Sequence, residues 1–452
     1  MVKIKDLSHI EKETRSGAKV LVLNTGSVIS PEAEAMLQAL HSRSVGGIKS
    51  HLETLAKTGS DKFMSTYYVG YGHKSIGDLG SATVFIEGVS MLAAKAIQDW
   101  PLYSGQEAST RYIDFSKQPF FDPVGSKKSK KIMDDWRSFY LDGLGEMIEV
   151  LKERFPRNED EDEKVYEKAI KARAFDVMRS FLPAGATTNL AWHSNLRQLA
   201  DKLTTLRHHP LAEVQDLACK TEEALIEAFP NSFDLKRYKE TEDHHKMLNK
   251  EFNYFREKDP VDFEVFQDSV NREMLAEYRK ALEERPLKTE LPKTIAECGT
   301  LGFRFLLDFG SFRDIQRHRS VTQRMPLLTT ENGFASWYLS ELEEEMKKEA
   351  EKLIDDQKEA INGIDVSEEV KQYFIAMGFN TANRLVGNLS ALVYLVELRS
   401  TRFVHPTLRE RALQMAKEME KRFKEQGLIL HLDPEPNRFD IKRGLQDIVK
   451  DK

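Results

Sequence analysis

Apolar residues recur at spacings of three and four along two stretches of this 452-residue chain, and each stretch follows a His-Pro pair. The first is LAEVQDLACKTEEAL after His209-Pro210; the second is TLRERALQMAKEMEKRF after His405-Pro406. Such spacing gathers the apolar side chains on one helical face, and proline suits a first helical turn, so both read as helices. Leucine-rich helical runs precede them, Asn195–Arg207 and Asn388–Arg399, with Asn, Leu and Arg recurring in the same order. Upstream, runs of β-branched and aromatic residues at Thr83–Ile86 and Phe303–Leu307 predict strands. Each half also holds a charged, helix-forming excursion, KKSKKIMDDWRSFYLDGLGEMIEVLKERF in the first and ELEEEMKKEAEKLIDDQKEAI in the second.

The same order of elements therefore occurs twice, 193 residues apart at the asparagine pair. A period of that size marks a repeated domain, since solenoid units run to about 20–50 residues. The polar segment Pro230–Asp262 separates the copies. The reading is an α+β, helix-rich chain of two tandem domains, 1–235 and 236–452.

Composition narrows the function classes. With 67 basic and 73 acidic residues the net charge is −6, which disfavours wholesale coating of nucleic acid. The most apolar windows, Leu79–Ile97 and Leu389–Leu398, contain charges or are too short to span a bilayer. The first residues carry no apolar core of a secretory signal, and two cysteines, Cys219 and Cys298, fit a reducing compartment; the expectation is a cytoplasmic protein with no membrane partner. Only 24 Gly and 15 Pro are present, which favours helices over a turn-rich sandwich.

Candidate chemistry is concentrated in short polar stretches. In Ser104–Tyr112, an extended backbone would set Glu107, Ser109 and Arg111 on one face, as for a ligand with a polar ring edge and a phosphate; a plain polar loop reads the same way. Arg317-His318-Arg319 follows a helix-like run, and on a helix its arginines would point about 200° apart and serve different partners; a solvated basic turn is the bland alternative. Gly72-His73-Lys74-Ser75 reads as a turn, and Arg179 as a helix-end cation before a Pro-Ala-Gly break. Arg207 and Arg399 each close a leucine-rich helix, and their recurrence lifts them above that helix-end role. The pairs His208-His209 and His244-His245 lack acidic or Cys partners at metal-ligand spacing, so no metal is assigned. No GxGxxG, Gly-Lys-Ser/Thr or GxSxG pattern occurs.

Taken together these stretches resemble the flavin-dependent thymidylate synthases, whose signature reads R-H-R-x-x-S-x-N/Q-E-x-S-x-R-Y. The signature is divided here. The first half has Asp99-Trp100-Pro101 in place of R-H-R but keeps Ser104, Gln106, Glu107, Ser109, Arg111 and Tyr112. The second half keeps Arg317-His318-Arg319, then departs at Thr322, Arg324-Met325, Leu327 and Thr329. Gly72-His73 with Ser75 resembles the family's G-H-x-S/T, although Asp78 and Leu79 replace the E-H that follows. Arg179 with Leu182-Pro183 resembles A-R-x-x-L-P. Asn195 and Arg197 resemble N-A-R, and Asn388 with Ser390 is its altered counterpart.

The resemblance implies reductive methylation of dUMP to dTMP, with FAD as cofactor and methylenetetrahydrofolate and NADPH as co-substrates. It implies that Arg207 and Arg399 are catalytic, stabilising charge on the uracil ring. Flavin contacts would come from Arg317, His318, Arg319, His73, Ser75, Glu107, Asn195, Arg197 and Asn388. Contacts to dUMP would come from Glu107, Ser109, Arg111, Arg179 and Arg207. Because family members are homotetramers with sites between subunits, two fused copies imply a homodimer with four domains and sites shared between the repeats. A catalytically degenerate flavin- or nucleotide-binding protein with a regulatory or scaffolding role is the alternative.

Overall fold

The computed structural model describes residues 9–23, 30–43, 48–70, 74–110, 113–159, 161–233 and 236–434. The first half supplies strands β1 (His9–Glu13), β2 (Lys19–Leu23) and β3 (Ser81–Ser90), helix α1 (Met91–Gln98) and strand β4 (Ser104–Glu107). Helices α2 (Lys127–Arg154) and α3 (Glu163–Met178), strand β5 (Thr187–Asn195) and helices α4 (Leu196–Leu206) and α5 (Ala212–Ala228) follow, then α6 (Lys239–Phe252). The second half continues with β6 (Phe263–Asp268), β7 (Thr300–Asp308), α7 (Phe309–Ile315) and β8 (Thr322–Gln323). It ends with α8 (Glu344–Asn362), β9 (Asn380–Asn388), α9 (Leu389–Arg399) and α10 (Pro406–Phe423). The architecture is mixed helix and antiparallel sheet, and no described helix is long and apolar enough to cross a membrane.

Two compact units form, and neither is one continuous half of the chain. One holds residues 1–113 and 187–253; the other holds 114–186 and 254–452. The division at 235/236 read from the sequence separates repeats of pattern, whereas the helical excursion of the first half is packed in the second unit. The reason is visible in its side chains. Trp136 of α2 is fully buried and donates its indole N–H to the carbonyl of Phe374 at 2.9 Å, and Phe181 stacks on Phe334 with centroids 5.2 Å apart. Gly185 allows the closest approach: its N–H bonds Tyr373 at 2.8 Å, and a Cβ there would sit 2.7 Å from that same carbonyl oxygen.

The first unit's sheet runs β1-β2-β3-β5-β4 and the second unit's β6-β7-β9-β8, every pairing antiparallel. Strand β9 alternates strictly, with Thr381, Asn383, Leu385 and Gly387 inward, as a sheet half-covered on its other face requires. In each unit an asparagine turns strand into helix. Asn195 accepts the N–H of Gln198 at 2.8 Å, and Asn388 accepts that of Ala391 at 3.0 Å, so each satisfies an otherwise orphaned donor.

A second buried device holds the strand-to-helix corner in each unit, with its charge placed oppositely. In the first, Ser90 caps α1 and donates to Glu213 at 2.6 Å. In the second, Asp308 caps α7, accepting from Ser311 N–H at 2.9 Å, Tyr338 at 2.7 Å and Thr407 at 2.6 Å. A buried carboxylate needs such donors, because leaving it short of one costs about 1–3 kcal/mol. Thr407→Val should therefore lower the stability of the second unit by about 1–3 kcal/mol in urea denaturation followed by tryptophan fluorescence. A loss below about 0.5 kcal/mol, the usual size for an uninvolved surface site, would show that Thr407 is dispensable there.

Candidate functional site

In the second unit, α7 ends at Ile315, and Arg317-His318-Arg319 forms the turn that follows, not a helical segment. Gln323 fixes this turn by donating to the carbonyls of Ile315 and His318, both at 3.0 Å. The turn directs the imidazole of His318 inward and leaves Arg317 and Arg319 exposed. The sequence expectation that the arginines face different partners rested on a helix; a turn with the histidine buried between them is what the structure has.

Arg399, the last residue of α9, reaches this turn. Its Nε donates to Nε2 of His318 at 2.8 Å and its Nη2 to the carbonyl of Asp314 at 2.9 Å. A guanidinium can only donate, so Nε2 accepts, and the proton of the neutral ring sits on Nδ1. Burial first, and then the charge of Arg399, hold the pKa of His318 down at about 3. The ring of Tyr394 lies on another side, with centroids 6.0 Å apart. Burial likewise pulls Arg399 below the ordinary arginine value.

Tyr394 also lines a cavity of about 620 Å³, walled by Leu291, Ser390, Val393, Leu398 and Phe403. Four of the charges at its edge form two pairs, Arg285 with Glu397 and Arg402 with Asp433 at 3.1 Å, and Lys288 and Glu290 add one charge of each sign. The result is an apolar, aromatic, electrically balanced hollow next to the histidine turn, of the size that takes a small organic molecule. Asn388, an expected flavin contact, spends its side-chain oxygen on the helix cap described above.

Arg179 is in the same unit, at the C-terminal end of α3, and is buried. Its Nε and Nη2 have no hydrogen-bond partner among the described residues. Burial alone would lower its pKa, but Tyr338 and the carboxylates Asp176, Asp314 and Asp308 outweigh that and raise it. A buried guanidinium with two unfilled donors is prepared for an acceptor.

The candidates in the first unit are placed differently. Glu107 ends β4 with its carboxylate turned inward, 2.7 Å from Nζ of the fully buried Lys95 and 3.0 Å from Nε2 of Gln98. Ser109, beyond the strand, is exposed, so the two do not share a face. Ser75 is exposed in a short turn of 3-10 helix, and Arg197 pairs with Asp78 at 3.0 Å. Asn195 caps α4. Arg207 is held by two carboxylates, Glu222 at 3.1 Å and Glu242 at 2.8 Å. His73 and Arg111, with Gly72 and Tyr112, lie outside the described residues.

Where the second unit has Arg-His-Arg, the first has Asp99-Trp100-Pro101, and Lys202 of α4 contacts this stretch. Its ammonium donates to the carbonyl of Asp99 at 2.9 Å and lies 5.5 Å from the Trp100 ring centre. Burial pulls its pKa down to about 8 against the opposing charge of Asp99, and His209 is pushed to about 3 by burial and then by Lys202. Lys95, Lys202, Asp314, Gln323 and Tyr394 escaped sequence reasoning. Only Lys202 left a trace there, as a charge on the leucine-rich face of its helix.

The histidine gives a pH dependence. Unfolded chains protonate it near about pH 6.5, whereas the folded unit resists down to about 3. Its contribution is therefore complete above about pH 6.5 and is lost at up to about 1.4 kcal/mol per pH unit as acid is added. Replacing His318 with Gln should flatten the acid limb of stability measured by urea denaturation between these limits; an unchanged limb would mean that other groups carry it.

Residues 27–231 match the family described as thymidylate synthase complementing protein. Over 408 residues the chain is 27% identical to a UPF0159 protein of Chlamydia pneumoniae, covering 78% of this chain and 76% of that one. A UPF0159 protein of Chlamydia muridarum is 26% identical over 408 residues, covering 77% and 76% respectively. A UPF0159 protein of Thermoplasma acidophilum is 24% identical over 440 residues, covering 80% and 86%. The likeness thus runs beyond the stretch that the family match covers. Through residues 27–231 the chain's resemblance to the thymidylate synthase complementing proteins, the flavin-dependent thymidylate synthases, is established.

Proposed function

We propose that this protein is a thymidylate synthase-like enzyme acting by reductive methylation of dUMP, with its working arginine in the second unit. The observation that carries this reading is the contrast between Arg399 and Arg207. Arg207 is matched by two carboxylates, which leaves little field for an incoming anion. Arg399 makes no ion pair among the described residues; it is anchored by a neutral imidazole and a carbonyl and keeps its charge available. An arginine fixed in that way can stabilise negative charge as it develops on a uracil carbonyl, without reorganising during the reaction.

The cofactor that the family implies is FAD, and the residues fit it: the cavity lined by Tyr394 and Phe403 has the size for a flat ring system, and its charged lining residues balance in sign. Tyr394 and Phe403 of the cavity wall would hold the ring system, and His318, Arg317 and Arg319 would act from the turn that Tyr394 adjoins. A flavin, once bound, supplies the hydride of the methylation. His318, neutral with its proton on Nδ1, presents a donor without adding charge. Arg179, with its unfilled Nε and Nη2 donors, would donate to the nucleotide in this reading. The co-substrates of this reading are methylenetetrahydrofolate and NADPH, and its assembly is a pair of chains in which each repeat supplies what the other has lost.

One feature favours the alternative, a ligand-binding protein without turnover: the carboxylate of Glu107 is already committed to a buried lysine. Tritium release from C5-labelled dUMP separates the two. Arg399→Lys should cut the rate by about 10²-fold or more, whereas Arg207→Lys should change it little. Equal losses in both variants would refute the assignment, and no release by the unaltered, flavin-loaded protein would favour binding alone.

A further inference from the structure

We infer that Asp314 lowers the positive charge of the second unit's arginine cluster and thereby the strength with which it holds a phosphate monoester. The inference deepens the proposed function, since it concerns the same site.

Four arginines from three stretches of chain act electrostatically on this aspartate. Arg317, three residues on, brings its Nε to 3.8 Å from Oδ1. Arg399 donates to its main-chain carbonyl at 2.9 Å. Arg313 precedes it and is buried, and Arg179 is buried with two donors unfilled among the described residues. All four act on the carboxyl group: burial would raise its pKa, but Arg317, Arg179, Arg399 and Arg313 together hold it below the usual carboxylate range. Asp314 is therefore an anion at ordinary pH.

A guanidinium cluster with its own carboxylate is a weaker anion site than the same cluster without one. Charges a few ångströms apart near a protein surface interact by several kcal/mol at most, enough to change affinity by an order of magnitude. The contact with Arg317 is long, beyond hydrogen-bonding reach, and Arg317 is 59% exposed. That arginine can turn from Asp314 to a phosphate, which it would grip through two parallel bonds. The carboxylate remains nearby and opposes the second negative charge of the phosphate. Neutralising it removes this repulsion and leaves the main-chain contact with Arg399 untouched.

The test is calorimetric titration of the full-length protein with inorganic phosphate, dUMP and deoxyuridine. Asp314→Asn should bind phosphate and dUMP about tenfold more tightly than the unaltered protein, with deoxyuridine unchanged. Asp314→Glu, which keeps the charge, should bind like the unaltered protein, and Arg317→Ala added to Asp314→Asn should abolish the gain. Asp314→Ser gives the same reading should the asparagine variant fold poorly. Unchanged or weakened phosphate binding in the neutral variants overturns the inference, as does a lack of phosphate binding by every form. A phosphate gain without binding of dUMP or deoxyuridine would uphold the inference and sink the nucleotide reading.

Discussion

The second unit's candidate site is organised around one partly buried contact, the donation of Arg399 Nε to the imidazole of His318. Two consequences follow from its chemistry. The imidazole must be neutral to accept, so burying it carries no charge penalty; and the arginine, spending its bonds on neutral acceptors, stays a cation close to the surface. The turn can then present Arg317 and Arg319 outward because the residue between them is fixed. Gln323 ties the same turn from the other side, and Tyr394 closes it against the cavity.

The corresponding corner of the first unit shows what happens when that contact is missing. Arg207 is drawn to Glu222 and Glu242, and Lys202 contacts the main chain at Asp99. Glu107, which matches the family signature letter for letter, is likewise satisfied from within by Lys95 and Gln98. Matching a motif and being free to use it are different properties. A side chain can keep its identity while neighbours of opposite charge absorb what it would offer to a ligand.

Much was legible from pattern. Strands at Thr83–Ile86 and Phe303–Leu307 and helices after each His-Pro pair exist where the spacing put them, because amphipathic periodicity reports a local requirement to bury one face. The asparagines that open α4 and α9 recur for an equally local reason: each caps a helix. Their caps also explain why a recurring asparagine need not mark a ligand contact. What spacing could not show was the helix-to-turn change at Arg317, since the turn depends on Gln323 bonding back across the corner, nor the inward rotation of Glu107.

The sequence by itself determined the repeated order of strand, helix and excursion, the divided signature and hence the resemblance, all of which rest on neighbours along the chain. Tertiary structure decided which arginine is neutralised and which is left charged, and which unit the excursion of α2 and α3 packs in. Those outcomes depend on carboxylates and aromatic rings tens to hundreds of residues away, brought within bonding distance only by folding. Charge is additive in composition but pairwise in space, so a net charge of −6 could not reveal that, among the described residues, Arg399 forms no ion pair while Arg207 forms two.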